Sequence, residues 1–227
     1  MTGGIAESEK KVTFLLVVLP KDGADIRAQV KYWGDVLHGV PTQCVRTGKY
    51  EAGNDQYCNN VALKINAKTG GINSTIISPV NKVLSTAMIV GADVSHPAPG
   101  VLNRPSIASL IASMDDNVSN YTSQIHLQEP RHEIIANLKV MMLNVLGDFY
   151  SYHNRHMLPQ SIMFYWDGVS EGEFDKVFKE EIQHIKDAVS EAMRRAHSSD
   201  KPKLVFIIVG KSESLLIVVG ELDPSGV

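Results

Sequence analysis

The chain has 227 residues, 44% hydrophobic and 21% charged, enough apolar material for one large or two small folded domains and too much for a disordered segment. A formal charge of −3 excludes a uniformly basic coat for nucleic acid, so an anion site has to be local. Two cysteines, Cys44 and Cys58, exclude a disulfide-dense scaffold, and the longest apolar runs fall far short of the ~20 residues that span a bilayer. The expected setting is therefore soluble, reducing and intracellular, with no membrane partner.

Charge is uneven along the chain. From Lys10 to Gly70 nine lysines and arginines face five acids, a local excess of about +4 inside an acidic protein. In that stretch Val12–Leu19 reads as a buried strand ended by Pro20. Asp22 opens a helix to about Leu37, with Ile26, Val30, Trp33 and Leu37 at helical spacing, and Gly39 and Pro41 end it. Thr42–Val45 is a short strand, Lys49–Asn59 a polar loop, and Tyr57–Asn66 a helix stopped by Gly70 and Gly71. Strand, helix, strand, helix is half of an open α/β sheet.

After a connector at Ile72–Val83 the pattern changes. Thr86–Val94, Ile107–Met114 and Tyr121–Leu127 read as three strands joined by loops without helices, an antiparallel meander. Pro130 suits the first turn of a long helix whose apolar stripe runs through Ile134, Leu138, Met141, Val145 and Phe149. Ile162–Trp166 is a fourth strand, a second long helix follows with Phe174, Val177, Phe178, Ile182, Ile185 and Val189 inward, and Leu204–Val209 is a fifth. Right-handed crossovers lay the last two strands parallel to the first, giving a mixed five-stranded sheet.

That topology makes Asp93 and Asp167 the ends of neighbouring strands. Paired carboxylates repel unless a hard cation joins them, so Mg²⁺ is the natural guest. Glu133 is the third acid, early in the first long helix. The plainer alternative is that each Asp caps the turn after its strand. His153 and His156 read as solvated rather than metal-bound, and Gly210-Lys-Ser212 lacks the upstream glycine of a phosphate loop.

Gly91-Ala-Asp-Val-Ser-His-Pro97, Pro105-Ser-Ile-Ala108, Ser113-Met-Asp115, Arg131-His-Glu-Ile-Ile135 and Asp167-Gly-Val-Ser-Glu-Gly172 resemble the PIWI domain of eukaryotic Argonaute proteins. Upstream, Gly39-Val-Pro-Thr-Gln-Cys44 and Leu63-Lys-Ile-Asn-Ala-Lys-Thr-Gly-Gly71 resemble the second half of the Argonaute Mid domain. The resemblance implies a partial Rossmann-like Mid half over 12–83, an incomplete ribonuclease H-like PIWI domain over 84–209, and a divergent tail at 210–227. It puts Lys31, Gln43, Lys64 and Lys68 on the positions that bind the 5′ phosphate of a small guide RNA. Arg27 takes the place of a tyrosine that stacks on the first guide base. Asp93, Glu133 and Asp167 fall on three of the four positions of a Mg²⁺-dependent slicer, with Asp93 and Asp167 as metal ligands. The fourth position, expected beyond the fifth strand, has no counterpart in the tail.

The implied partners are a guide RNA, a complementary target RNA and Trp-containing silencing proteins, in the cytoplasm or the nucleus. Three readings follow: a small-RNA-guided silencing protein that binds guide but does not slice by itself; a small metal-dependent ribonuclease H-like endonuclease; and a non-catalytic decoy or interaction module.

Overall fold

Two units, Met1–Thr75 and Ile76–Val227, make up the chain. The structure, a computed structural model, describes residues 12–48, 55–75, 86–101, 103–154, 157–167, 174–209 and 215–221, with backbone alone at 167, 174–178 and 215–221. The connector at Ile72–Val83 lies partly, and the Gly210-Lys-Ser212 segment wholly, outside these residues.

In the first unit β1 (Leu15–Leu19) and β2 (Thr42–Arg46) pair in parallel, Leu15 against Thr42 and Leu19 against Arg46. Helix α1 (Ala24–Lys31) crosses between them with Asp25 in its first turn and Lys31 in its last, both favourable to the helix dipole. The chain then widens into a π-helical stretch, Tyr32–His38, which Gly39 ends at φ 61° in the left-handed region. The expected inward face of this helix is partly open: Ile26 and Leu37 are exposed, Val30 and Trp33 are half-buried, and α1 has no buried residue. Two short strands offer too little sheet to cover a helix face. Helix α2 (Asp55–Lys68) starts earlier than the polar composition suggested, with Asp55 in its first turn.

The second unit holds one six-stranded sheet in the order β5-β4-β3-β6-β7-β8. Strands β3 (Ala87–Ser95), β4 (Ser106–Ser113) and β5 (Tyr121–Gln128) form the expected meander. β6 (Ser161–Asp167) and β7 (Lys203–Val209) lie parallel to β3, as crossover handedness requires. A sixth strand, β8 (Leu215–Glu221), comes from the tail and pairs antiparallel with β7. Its apolar run Leu215–Val219 is the signal that the motifs did not reach.

Alternation sets the two faces of this sheet. Met88, Val90, Ala92, Ala108, Leu110, Ile162, Phe164, Trp166, Phe206 and Ile208 point into one core with α3 (Leu138–Tyr152) and α4 (Phe174–Ala196). Phe164 and Phe206 stack there at 5.1 Å. Ile107, Ile111, Ile125 and Leu127 occupy the opposite face and are exposed. In α4, Ile185 and Val189 are buried as expected and Ile182 packs against the core, while the side chains of Phe174, Val177 and Phe178 lie outside the described residues.

The first long helix begins at Leu138, eight residues after Pro130, so Glu133 stands on a loop rather than in a helix. Side-chain bonds compete with helix formation in this stretch. Gln128 Nε2 donates to the carbonyls of His132 and Ile134, and its Oε1 accepts the N–H of Ala136. Arg131 adopts φ 60°, which no continuing helix permits. Ile134 and Ile135 are buried all the same, carried by the loop.

Candidate functional site

Each unit carries one candidate site. In the first, Gly34 sets the geometry. A Cβ there would stand 2.4 Å from Thr42 Cγ2 and 2.7 Å from the Val40 carbonyl oxygen, so only glycine lets the π-helical stretch close on β2. That closure brings Lys31, at the end of α1, onto Thr42. Its Nζ donates to the Thr42 carbonyl at 2.8 Å and to Thr42 Oγ1 at 2.6 Å. From the other side Lys68, at the end of α2, donates to the same carbonyl at 2.8 Å and to Gln43 Oε1 at 2.7 Å. Gln43 is buried, and its Nε2 donates to the Cys44 carbonyl at 2.9 Å.

The structure therefore brings Lys31 and Lys68 together on one carbonyl oxygen, with the Gln43 amide bonded to Lys68 beside them. Lys64, one turn before Lys68, is exposed and bonds to none of the described residues. Burial and the nearby Lys31 ammonium both lower the pKa of Lys68, against weaker pulls from Cys44 and Asp35. Neither Lys31 nor Lys68 forms an ion pair among the described residues. Each ammonium has three N–H donors and spends two on protein oxygens, which leaves one each for a ligand.

Arg27 is exposed on α1 and lines a cavity of about 240 Å³ with Leu19, Cys44, Arg46 and Tyr57. Spacing in the sequence gave no hint of Arg46 or Tyr57, because α2 delivers Tyr57 from thirty residues downstream.

In the second unit Asp93 is exposed near the end of β3, its carbonyl accepting a hydrogen bond from Ser109 Oγ at 3.3 Å. The parallel register of β3 and β6 pairs Gly91 with Tyr165 and Ala92 with Trp166, and Asp93 and Asp167 are the next residues of the two strands. Register thus puts the two acids at adjacent positions on one rim; the Asp167 side chain is outside the described residues.

Glu133 is half-buried, with Oε1 3.0 Å from His96 Nε2, a close electrostatic contact rather than an aligned hydrogen bond. His96 Nδ1 is 2.8 Å from Ser106 Oγ, which also accepts the Arg131 N–H at 2.9 Å. His96 and Ser106 were not among the predicted site residues, although His96 lies only three positions after Asp93. Among the described residues no cluster of three His, Cys, Asp or Glu side chains is arranged to hold a metal. His153, expected in solvent, is half-buried: its Nε2 lies 3.0 Å from the Met114 carbonyl and its ring packs on Phe149 at 4.4 Å. His156 is outside the described residues.

Comparison with known proteins bears on the family and the fold. The family model described as the Piwi domain matches residues 14–217, eight residues past the end of β7. Protein argonaute 18 of Oryza sativa subsp. japonica is 39% identical over 212 residues, covering 89% of this chain and 19% of that protein. Argonaute of Kluyveromyces polysporus, solved with a guide RNA, superposes with a TM-score of 0.76 at 30% identity, over 91% of this chain and 25% of that one. The MID-PIWI domains of N. crassa QDE-2 superpose with a TM-score of 0.73 at 28% identity, over 91% of this chain and 57% of theirs. The chain thus spans less than a fifth of the rice protein's length.

Proposed function

This chain belongs to the Piwi-domain family of Argonaute proteins, and from that footing we propose that it binds the 5′ phosphate of a small guide RNA through Lys31, Gln43, Lys64 and Lys68. The observation that carries the reading is the convergence of two ammonium groups on the Thr42 carbonyl with no carboxylate paired to either among the described residues. Two like charges held that close favour a dianionic guest, and each retains a donor to give it. Lysines act as point-charge phosphate ligands, and the Gln43 amide beside them adds a directional contact. Arg27, with Tyr57 and Arg46 around the adjoining cavity, offers a flat guanidinium on which a first base can stack.

Binding of RNA oligonucleotides by the purified chain tests this. A 5′-phosphorylated strand is expected to bind at least tenfold more tightly than its 5′-hydroxyl twin, and Lys68→Ala and Lys64→Ala are expected to erase most of that ratio. Equal affinity for the two strands would remove the phosphate assignment.

The second unit supports a further part of the reading. Asp93 is exposed and its carboxylate has no partner among the described residues, and register sets Asp167 beside it. Two oxygen donors on one rim fit a hard divalent cation. Asp93 and Asp167 would hold Mg²⁺, with Glu133 kept close to the rim by His96. When bound, that ion neutralises charge on a phosphodiester and lowers the pKa of a bound water. The proposal includes pairing of the guide with a complementary target RNA and docking of Trp-containing silencing partners, without residues assigned to the latter.

By itself the chain is read as a guide-binding protein, with Asp93, Glu133 and Asp167 the slicer positions that the resemblance assigns to it. The adjacency of Asp93 and Asp167 is what favours the endonuclease reading instead. Mg²⁺-dependent cleavage of a paired target that disappears in Asp93→Ala would establish it. Intact target with metal present would leave guide binding as the function.

A further inference from the structure

Glu181 is fully buried in α4, at 0% exposure, and pairs with no cation among the described residues. Its two oxygens face two different backbone stretches. Oε1 accepts the N–H of Ile135 at 2.9 Å, two residues after Glu133 on the loop that precedes α3. Oε2 accepts the indole N–H of Trp166, the residue directly before Asp167. Trp166 is in turn the register partner of Ala92, the residue directly before Asp93. One carboxyl group therefore joins a helix to the loop that carries Glu133 and to the strand that carries Asp167, which pairs in turn with the strand that carries Asp93.

We propose that Glu181 is a positioning residue for the acid site, holding the Glu133 loop in place against the rim of β3 and β6. The inference rests on the reading of Asp93, Glu133 and Asp167 given above and adds what keeps them in register. A hydrophobic residue at this place would fill the same volume, but it would leave the Ile135 N–H and the Trp166 indole buried without acceptors. Gln128 fastens the loop to the end of β5, and His96 reaches it from the loop after β3. Glu181 adds a hydrogen bond from the helix layer, beside the packing of Ile134 and Ile135 into the core.

Burial favours the uncharged form of this carboxyl. Burial pushes it up to about 8, with a smaller push from Glu180, against the downward pull of the Ile135 and Trp166 hydrogen bonds. In the uncharged form it needs no buried cation, and it adds no negative charge beneath a site that gathers three acids.

The test combines backbone exchange with divalent-cation binding in the full chain. Glu181→Gln keeps the shape and can accept from only one of the two donors. It is expected to speed amide hydrogen exchange at 131–137 at least tenfold and to weaken Mn²⁺ binding, read by electron paramagnetic resonance, about tenfold. Leu204→Val, a core truncation at the far end of β7 from the rim, should lower the melting temperature without moving either readout. If Glu181→Gln fails to fold, Trp166→Phe removes the second bond from the other side and should loosen the β6 rim and Mn²⁺ binding alike. Unchanged exchange at 131–137 in a folded Glu181→Gln variant would overturn the proposal. Wild-type protein that binds no Mn²⁺ would sink the acid site itself, while the exchange arm would still decide whether Glu181 holds the loop.

Discussion

Gly34 is where the first unit is most sensitive to a single atom. The closest contact of an added Cβ is the methyl of Thr42, whose carbonyl and hydroxyl also receive the lysines, so an intrusion there moves the acceptor of the cluster. Gly34→Ala is expected to destabilise the first unit by about 1–3 kcal/mol, the usual cost of overpacking. It should also reduce the preference for a 5′-phosphorylated strand even though no charge has been removed. Denaturant melts and the paired RNA titration check both halves; wild-type behaviour in each would mean that the π-helical stretch relaxes freely.

Glu181 sets a pH dependence of the opposite sign from that of a salt-bridged acid. Its carboxyl ionises near 4.5 in the unfolded chain and near 8 in the fold. The native state therefore binds one proton more than the unfolded state between those values, so stability falls as pH rises through the window. The contribution is fully present below pH 4.5 and lost by the time the pH passes 8, with a slope of at most about 1.4 kcal/mol per pH unit. Comparing the melting free energy of wild type and Glu181→Gln from pH 5 to pH 8 isolates it from the histidines. The variant should show the flatter curve, and parallel curves would contradict the assignment.

At the scale of elements, what could be read from the sequence followed from whether the deciding partner was local. Strands β3 to β7 of the large sheet were legible, and β8 was not, because alternation and an apolar run report burial directly, and crossover handedness then put β6 beside β3 and Asp167 beside Asp93. The Glu133 loop was not legible. Its apolar residues Ile134, Ile135 and Leu138 fit a helical stripe, and nothing nearby announces that Gln128 and Glu181 will take the backbone donors and acceptors a helix would use. The lysine site was half legible: an interval of four put Lys64 and Lys68 on one face of α2, but only the fold decides that Lys68 reaches Thr42 and Lys64 does not. The exposed face of α1 shows the same limit from the other side. Helical spacing announces an apolar stripe, and the layer needed to cover it has to come from elsewhere.

Across the whole molecule the two units differ in what holds them. In the second, twenty-odd apolar side chains from six elements form one core in which Met88, Val90, Leu110, Met142, Ile162 and Phe164 are completely buried. In the first, neither α1 nor α2 contributes a buried residue, and Leu16, Val18 and Leu63 stand exposed around two paired strands. Burial of apolar area is the main favourable term in folding, so the smaller unit has much less to set against the entropy of ordering its chain. It should unfold at lower denaturant than the larger one. The two tryptophans report the units separately: Trp33 lies in the π-helical stretch, packed on His38 at 4.4 Å, and Trp166 is 1% exposed in the sheet core. In urea, Trp166→Phe protein should show an early, shallow emission change from Trp33, and Trp33→Phe protein a later, steeper one, since the slope scales with the surface exposed. A 5′-phosphorylated RNA should shift the Trp33 transition to higher urea and leave the Trp166 transition where it is, because a ligand stabilises only the unit that binds it. Coincident transitions that move together on adding RNA would mean that the units fold as one and that the phosphate cluster draws its stability from the core of the second.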